Sequence, residues 1–166
     1  MTEYSLAFSE KLIEAANLVA KIDLMEIESK RTVLYLSLLS CEITIKSLLE
    51  RAGFDIKKIK RLSHNLSSLL VEIGNCEIYK DTNQARKEWI RATGIRSIRI
   101  DSRFSNATVG NLLTAEGSGA SIYPNQIRYG DTLIHYPPEV MLEAAKAILT
   151  WAKKYLGKIR IAQQNN

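Results

Sequence analysis

The chain has 166 residues, enough for one domain with a real hydrophobic core and too few for two independent ones. With 46% hydrophobic and 25% charged residues it has a globular composition; no apolar run nears the ~20 residues of a membrane span. The opening MTEYSLAFSEKL carries Glu3 and Glu10 and no basic region, unlike a secretion leader, so a cytoplasmic protein without a membrane partner is expected.

The net charge of +5 is unevenly spread: residues 1–50 carry five basic and eight acidic side chains, whereas residues 51–166 carry eighteen and ten. The basic part holds three clusters: Lys57, Lys58, Lys60 and Arg61; Arg86, Lys87, Arg91, Arg96, Arg99 and Arg103; and Lys153, Lys154, Lys158 and Arg160. Such clusters attract phosphates, although solvated helix faces look the same in sequence.

In chain order, Leu6, Leu12, Ile13, Ala16, Val19, Ala20 and Leu24 form a stripe that predicts an amphipathic helix over 5–28. Residues 32–52, with Thr32 as cap and Gly53 after the last turn, predict a second, more continuously apolar and central helix. Phe54–Ser63 reads as a basic link, and Ser63 as the cap of a helix from His64 to Ile73, with Asn65 as the alternative cap. A helix over 82–93 around Trp89 and Ile90 is predicted next, with both tryptophans in the core. A short strand or extended loop over 94–105 and a helix over 107–116 follow. Gly117–Ser121 predicts a mobile break, and Pro137-Pro138-Glu139 opens a final helix to about Leu156. A polar tail over 157–166 is expected to be disordered. The fold class expected is therefore all-α, a single domain built as an antiparallel bundle of four to five helices with a long irregular middle connection.

The chemistry-bearing residues are few. Cys41 and Cys76 read as structural thiols, and neither has a neighbour at metal-ligand spacing, so no metal and no cofactor are expected. Both histidines are candidates: His64 lies directly behind the first basic cluster in RLSHNLSSLL, and His135 follows Arg128 after six intervening residues. RNA carries its own 2′-hydroxyl nucleophile, so a histidine that moves protons and an arginine that stabilises phosphate suffice to cleave it without a metal. His64, His135 and Arg128 are thus the candidate catalytic residues, while Lys58, Arg61, Asn65, Arg128 and Tyr129 are candidates for holding RNA or a nucleotide. Plainer roles stand beside these: His64 ordering the basic link, His135 as a loop residue, Arg128 and Tyr129 pinning a loop. Glu42 and Lys46, spaced i and i+4, read as either a surface ion pair or a satisfied buried one.

The order Ser37-Leu-Leu-Ser-Cys-Glu-Ile-Thr-Ile-Lys-Ser-Leu-Leu, then Ser63-His-Asn-Leu-Ser-Ser-Leu-Leu70, then Ile127-Arg-Tyr-Gly-Asp131 resembles the motif order of HEPN domains. The resemblance implies a helical bundle of four or five helices, a homodimer, and a prokaryotic toxin, antiphage or abortive-infection setting with a possible protein partner or antitoxin. Catalytic HEPN proteins place four to six residues between Arg and His. Here only two residues lie between Arg61 and His64, while Lys58 stands at the wider spacing of five, and Arg128 and His135 keep the family spacing around a glycine. The expected function is therefore a non-catalytic RNA- or nucleotide-interacting module, the alternative being a metal-independent RNA endonuclease with an Arg/His composite site across a dimer.

Overall fold

The structure is a computed structural model that describes residues 2–81, 87–100, 107–117, 123–129 and 137–163. Ser5 caps α1 (Leu6–Ile22) by accepting the Phe8 N–H at 3.4 Å. The helix ends earlier than its stripe suggests, because the Asp23 carboxylate accepts the Met25 N–H at 2.6 Å and turns the chain. Four residues later α2 (Ile27–Ala52) begins, with Glu26 and not the predicted Thr32 at its N-cap. Thr32 lies inside the helix and gives its hydroxyl to the Glu28 carbonyl at 2.7 Å.

Helix α2 is the centre of the molecule, packed against α1, α7 (Pro138–Tyr155), α4 (Leu66–Asn75) and the short α3 (Ile56–Arg61) and α6 (Asn125–Tyr129). Its Val33, Leu34, Leu38, Cys41, Ile45, Leu48 and Leu49 are all buried. It is long and apolar enough to cross a membrane by length and composition alone. The window that passes this test is 72% buried inside the fold, so core packing accounts for its character. Against α1 the packing is polar and close: the Ser9 hydroxyl meets Ser40 Oγ at 2.7 Å and the Ser40 carbonyl at 3.0 Å, all buried.

Gly53 ends α2 at φ +100°, in the left-handed region, and its N–H returns to the Glu50 carbonyl. A β-carbon there would find ordinary space, 3.9 Å from Ile161, so the cost of Gly53→Ala is conformational. A loss of about 1 kcal/mol is expected, read as a melting point lower by about 2–4 °C.

The basic link contains α3, capped by Asp55, whose carboxylate accepts the N–H of Lys57 and Lys58 at 2.9 and 3.2 Å. Ser63 takes a positive φ of 51°, and the cap of α4 is Asn65, whose side chain accepts the Ser68 N–H at 2.8 Å. His64 is therefore not in a helical turn but in the bend between α3 and α4.

The all-α expectation holds for most of the chain but not for all of it. A three-stranded antiparallel sheet, ordered β2-β1-β3, joins β1 (Cys76–Asp81), β2 (Lys87–Arg91) and β3 (Ile159–Ile161). The helix predicted over 82–93 is corrected by β2. Ile78 faces Ile90 toward the core, and Tyr79 faces Trp89 on the outer side with ring centroids 5.2 Å apart. Trp89 is accordingly 36% exposed, stacked under the Arg160 guanidinium at 3.9 Å rather than buried. The expected disordered tail is corrected over Ile159–Ile161, where Ile159 pairs with Ile78 and is buried while Arg160 binds Glu77. Beyond β2 come a 3-10 turn at Ala92–Ile95, an isolated bridge between Arg99 and Thr108, and α5 (Val109–Gly117). The break predicted from Gly117 to Ser121 lies, beyond Gly117, outside the described residues. Helix α7 opens at Pro138, as its prolines predict, and buries Val140, Ala144, Ile148 and Ala152 against α2.

Candidate functional site

The site grows from Glu42, in the middle of α2 and 3% exposed. A carboxylate so placed must be satisfied by donors, and three reach it. Lys46 Nζ, one turn on, donates to Oε1 at 2.8 Å; the Tyr123 hydroxyl donates to Oε2 at 2.8 Å; His64 Nδ1 meets the same Oε2 at 3.0 Å. The i, i+4 pair read from the sequence is thus the buried form, with Lys46 5% exposed and its ammonium 5.5 Å from the centre of the Tyr4 ring.

Because a carboxylate only accepts, the His64 bond assigns the proton to Nδ1 and leaves Nε2 of the neutral ring as the acceptor. The imidazole side chain is 49% exposed, so that second nitrogen is the one open to a ligand. A buried carboxylate behind a half-exposed imidazole fixes ring orientation and tautomer, the arrangement histidine needs to take or give a proton. Burial and the adjacent Glu42 carboxylate push the Tyr123 phenol far above its ordinary range, so Tyr123 stays a donor to Glu42.

Tyr123 also links His64 to Arg128. Its ring meets the His64 ring edge-on with centroids 6.1 Å apart, and lies 5.9 Å from that of Tyr35. Tyr35 in turn holds Arg128: the guanidinium sits 5.0 Å from the ring centroid and gives Nε to the hydroxyl at 3.1 Å, with Nη2 on the same oxygen. That pairing holds the Arg128 guanidinium above its ordinary value, hydrogen bonding being the chief cause. His64 and Arg128, far apart in the sequence, therefore belong to one cluster, with two tyrosine rings between them.

Arg31 of α2 holds α6 in place. Its Nε and Nη2 donate to the Ile127 carbonyl at 3.1 and 2.8 Å, and Nη2 also to that of Arg128 at 3.0 Å. A groove of about 240 Å³ opens there, lined by Arg31, Tyr35, Ile127 and Arg128 among others, and Tyr129 beside it is 83% exposed. The sequence singles out neither Tyr35, Tyr123 nor Arg31; each is an ordinary helix or loop residue until the fold brings α6 against α2.

The remaining candidates fall as follows. Lys58 and Arg61 are exposed on α3 just ahead of His64, and among the described residues neither is ion-paired. Lys60 of the same helix is bound to Glu3 at 2.7 Å. Asn65 spends its side-chain oxygen as the α4 cap, which makes it structural first. His135, with the Arg86 and Arg103 members of the second basic cluster, lies outside the described residues. In the third cluster Lys153 and Arg160 are paired with Glu10 and Glu77 at 2.6 and 2.9 Å. Cys41 and Cys76 are both buried, and burial pushes the Cys76 thiol up to about 12. Among the described residues no group of three or more His, Cys, Asp or Glu side chains could hold a metal ion. Comparison of the chain with protein-family models, with curated proteins and with solved structures gives no match.

Proposed function

We propose that the chain is a HEPN-like helical domain that binds RNA or a nucleotide as a non-catalytic module of a cytoplasmic prokaryotic defence or toxin-type system. The observation that carries the reading is the Glu42-centred cluster: a buried carboxylate and two tyrosines that set a half-exposed imidazole and an exposed arginine on one connected framework. Phosphate suits the arginine and the exposed Lys58 and Arg61 beside His64. The exposed ring of Tyr129 suits a stacked base. The motif order from α2 through His64 to Arg128 supports the HEPN assignment.

Cleavage is the second reading, favoured by one specific feature, the Glu42-to-Nδ1 hydrogen bond, which presents Nε2 of His64 as a base. It requires Arg128, or a residue of a second copy, to reach the same phosphate.

The test is titration of a labelled single-stranded RNA and of a labelled ATP analogue, in EDTA, followed by polarisation and by gel. Saturable binding without fragments is expected. Arg128→Ala and the Lys58→Ala/Arg61→Ala pair are expected to weaken it and to lower the slope of log K against log salt by about 0.7 for each phosphate no longer neutralised. Absence of binding to either probe would end the reading. Fragments that vanish in His64→Ala would replace the binding module with the nuclease.

A further inference from the structure

Strand and helix ends meet where β1 begins, and they leave one arginine and one carboxylate over. Glu77 of β1 stands opposite Arg91 on β2 and opposite Arg160 on β3. One carboxylate thus faces two guanidiniums, and Arg160 takes it, with Nε at 3.0 Å and Nη2 at 2.9 Å from the same oxygen. Arg91 is held at the end of α4 instead, where Nη1 donates to the Asn75 carbonyl at 2.5 Å. It is exposed, and among the described residues its other donors make no hydrogen bond or ion pair. Glu72, in the last turn of α4, is the converse. A helix carboxyl end disfavours an acid, and no basic residue stands in that turn to offset it. Only the backbone carbonyl of Glu72 is engaged, by the Cys76 thiol at 3.6 Å; among the described residues its half-buried carboxylate has no donor.

Both residues line one groove of about 560 Å³, together with Phe54, Asn75, Ile161 and Gln163 among others. That volume lies within the roughly 300–1,000 Å³ of small-molecule sites. An acid and a base that share a groove without pairing across it leave one place for a cation and one for an anion. Arg91, with Nη1 already fixed, presents its remaining donors as a fork for a carboxylate. Glu72 suits an ammonium, and Phe54, which follows the last turn of α2, brings a second helix carboxyl end to favour positive charge there. Phe54 and Ile161, the latter 46% exposed, supply an apolar wall between the polar groups. A phosphate ligand with no cation of its own would satisfy Arg91 and leave Glu72 without a partner, so the groove selects a molecule that carries both charges.

We infer that this groove binds a small zwitterion, an ammonium and a carboxylate on an apolar frame as in a free amino acid or a dipeptide, with Arg91 on the carboxylate, Glu72 on the ammonium, and Phe54 and Ile161 against the apolar part. The groove lies at the carboxyl end of α4, whereas His64 precedes its amino end. The two sites share no residue, so the inference stands apart from the RNA or nucleotide reading.

The experiment is calorimetric titration of the full chain with L-leucine and with leucyl-leucine, beside L-leucinamide and N-acetyl-L-leucine, each of which keeps only one of the two charges. Saturable binding of at least one zwitterion is expected, with both capped forms weaker by about tenfold or more. Arg91→Gln is expected to weaken the zwitterion by about the same factor and to leave L-leucinamide unchanged; Glu72→Gln is expected to do the same and to leave N-acetyl-L-leucine unchanged. The tighter of the two zwitterions tells a free amino acid from a peptide. Neither side chain belongs to the core, and the capped forms on the wild type carry the test should a substitution disturb α4. No saturation with either zwitterion would overturn the inference, as would capped forms that bind as tightly, or a zwitterion affinity indifferent to Arg91→Gln or to Glu72→Gln.

Discussion

Glu42→Leu is expected to cost about 3–5 kcal/mol, seen as a melting point lower by roughly 10 °C or an equivalent fall in the urea midpoint. The substitution removes one acceptor and strands three donors. Lys46 is left 5% exposed beside the Tyr4 ring without its carboxylate; Tyr123 keeps a buried hydroxyl without its partner; His64 loses the bond that orients it. Lys46→Met should cost less, because the carboxylate it leaves behind retains the Tyr123 and His64 donors. The double change Glu42→Leu/Lys46→Met should recover much of the loss, since replacing a whole buried pair by apolar groups of similar volume is close to neutral. The same series reports on the site: a ligand that recognises His64 should bind the double variant poorly even when that variant melts near the wild type. A Glu42→Leu loss below 1 kcal/mol would mean that water, not the three donors, satisfies the carboxylate.

The parts of this arrangement that sequence can show are those within one helix. Glu42 and Lys46 are one turn apart, so their pairing is legible, while the choice between a surface and a buried pair is left open until the fold is known; α7 is legible from its prolines and its stripe. The bond from Glu42 to Tyr123 spans 81 positions, and that from Arg128 to Tyr35 spans 93, so no local pattern carries them. The sheet is hidden for a related reason. Strands of three to six residues hold too few periods to separate from a helix, and the KEWIR segment alternates convincingly only once Ile90 is known to face Ile78 across β1. Ile159–Ile161, which by composition begins a tail, becomes a strand because its partner has already been laid down about eighty residues earlier. His64 stands out in the sequence, yet its place is a bend and not the expected helical turn. Ser63 and Asn65 are equally good caps by composition, and only the positive φ of Ser63 decides between them.

Alkaline pH is expected to unfold the protein more steeply than its exposed groups would, and Tyr123 and Cys76 are the cause. Burial pushes both groups up, with the Glu42 carboxylate adding to the effect at Tyr123 and Glu72 at Cys76. A group whose folded-state pKa lies above its unfolded value gives its full stabilisation below the unfolded value, because there it is protonated in both states. As pH rises past that value the unfolded chain loses the proton while the folded chain keeps it, and stability falls by about 1.4 kcal/mol per pH unit for each such group. For Cys76 the fall begins near 9.0 and ends at about 12; for Tyr123 it begins near 10.0 and continues beyond the accessible range. Between pH 10 and 12 the two act together, at about 2.7 kcal/mol per unit, which exhausts the 5–15 kcal/mol of an ordinary domain within a few units. Urea midpoints measured from pH 8 to 11 should be level at first and then drop. Tyr123→Phe should be less stable at pH 8, where the hydrogen bond to Glu42 is lost, yet lose less on going to pH 11. A decline equally steep in Tyr123→Phe would assign the alkaline transition elsewhere and place the phenol in contact with solvent.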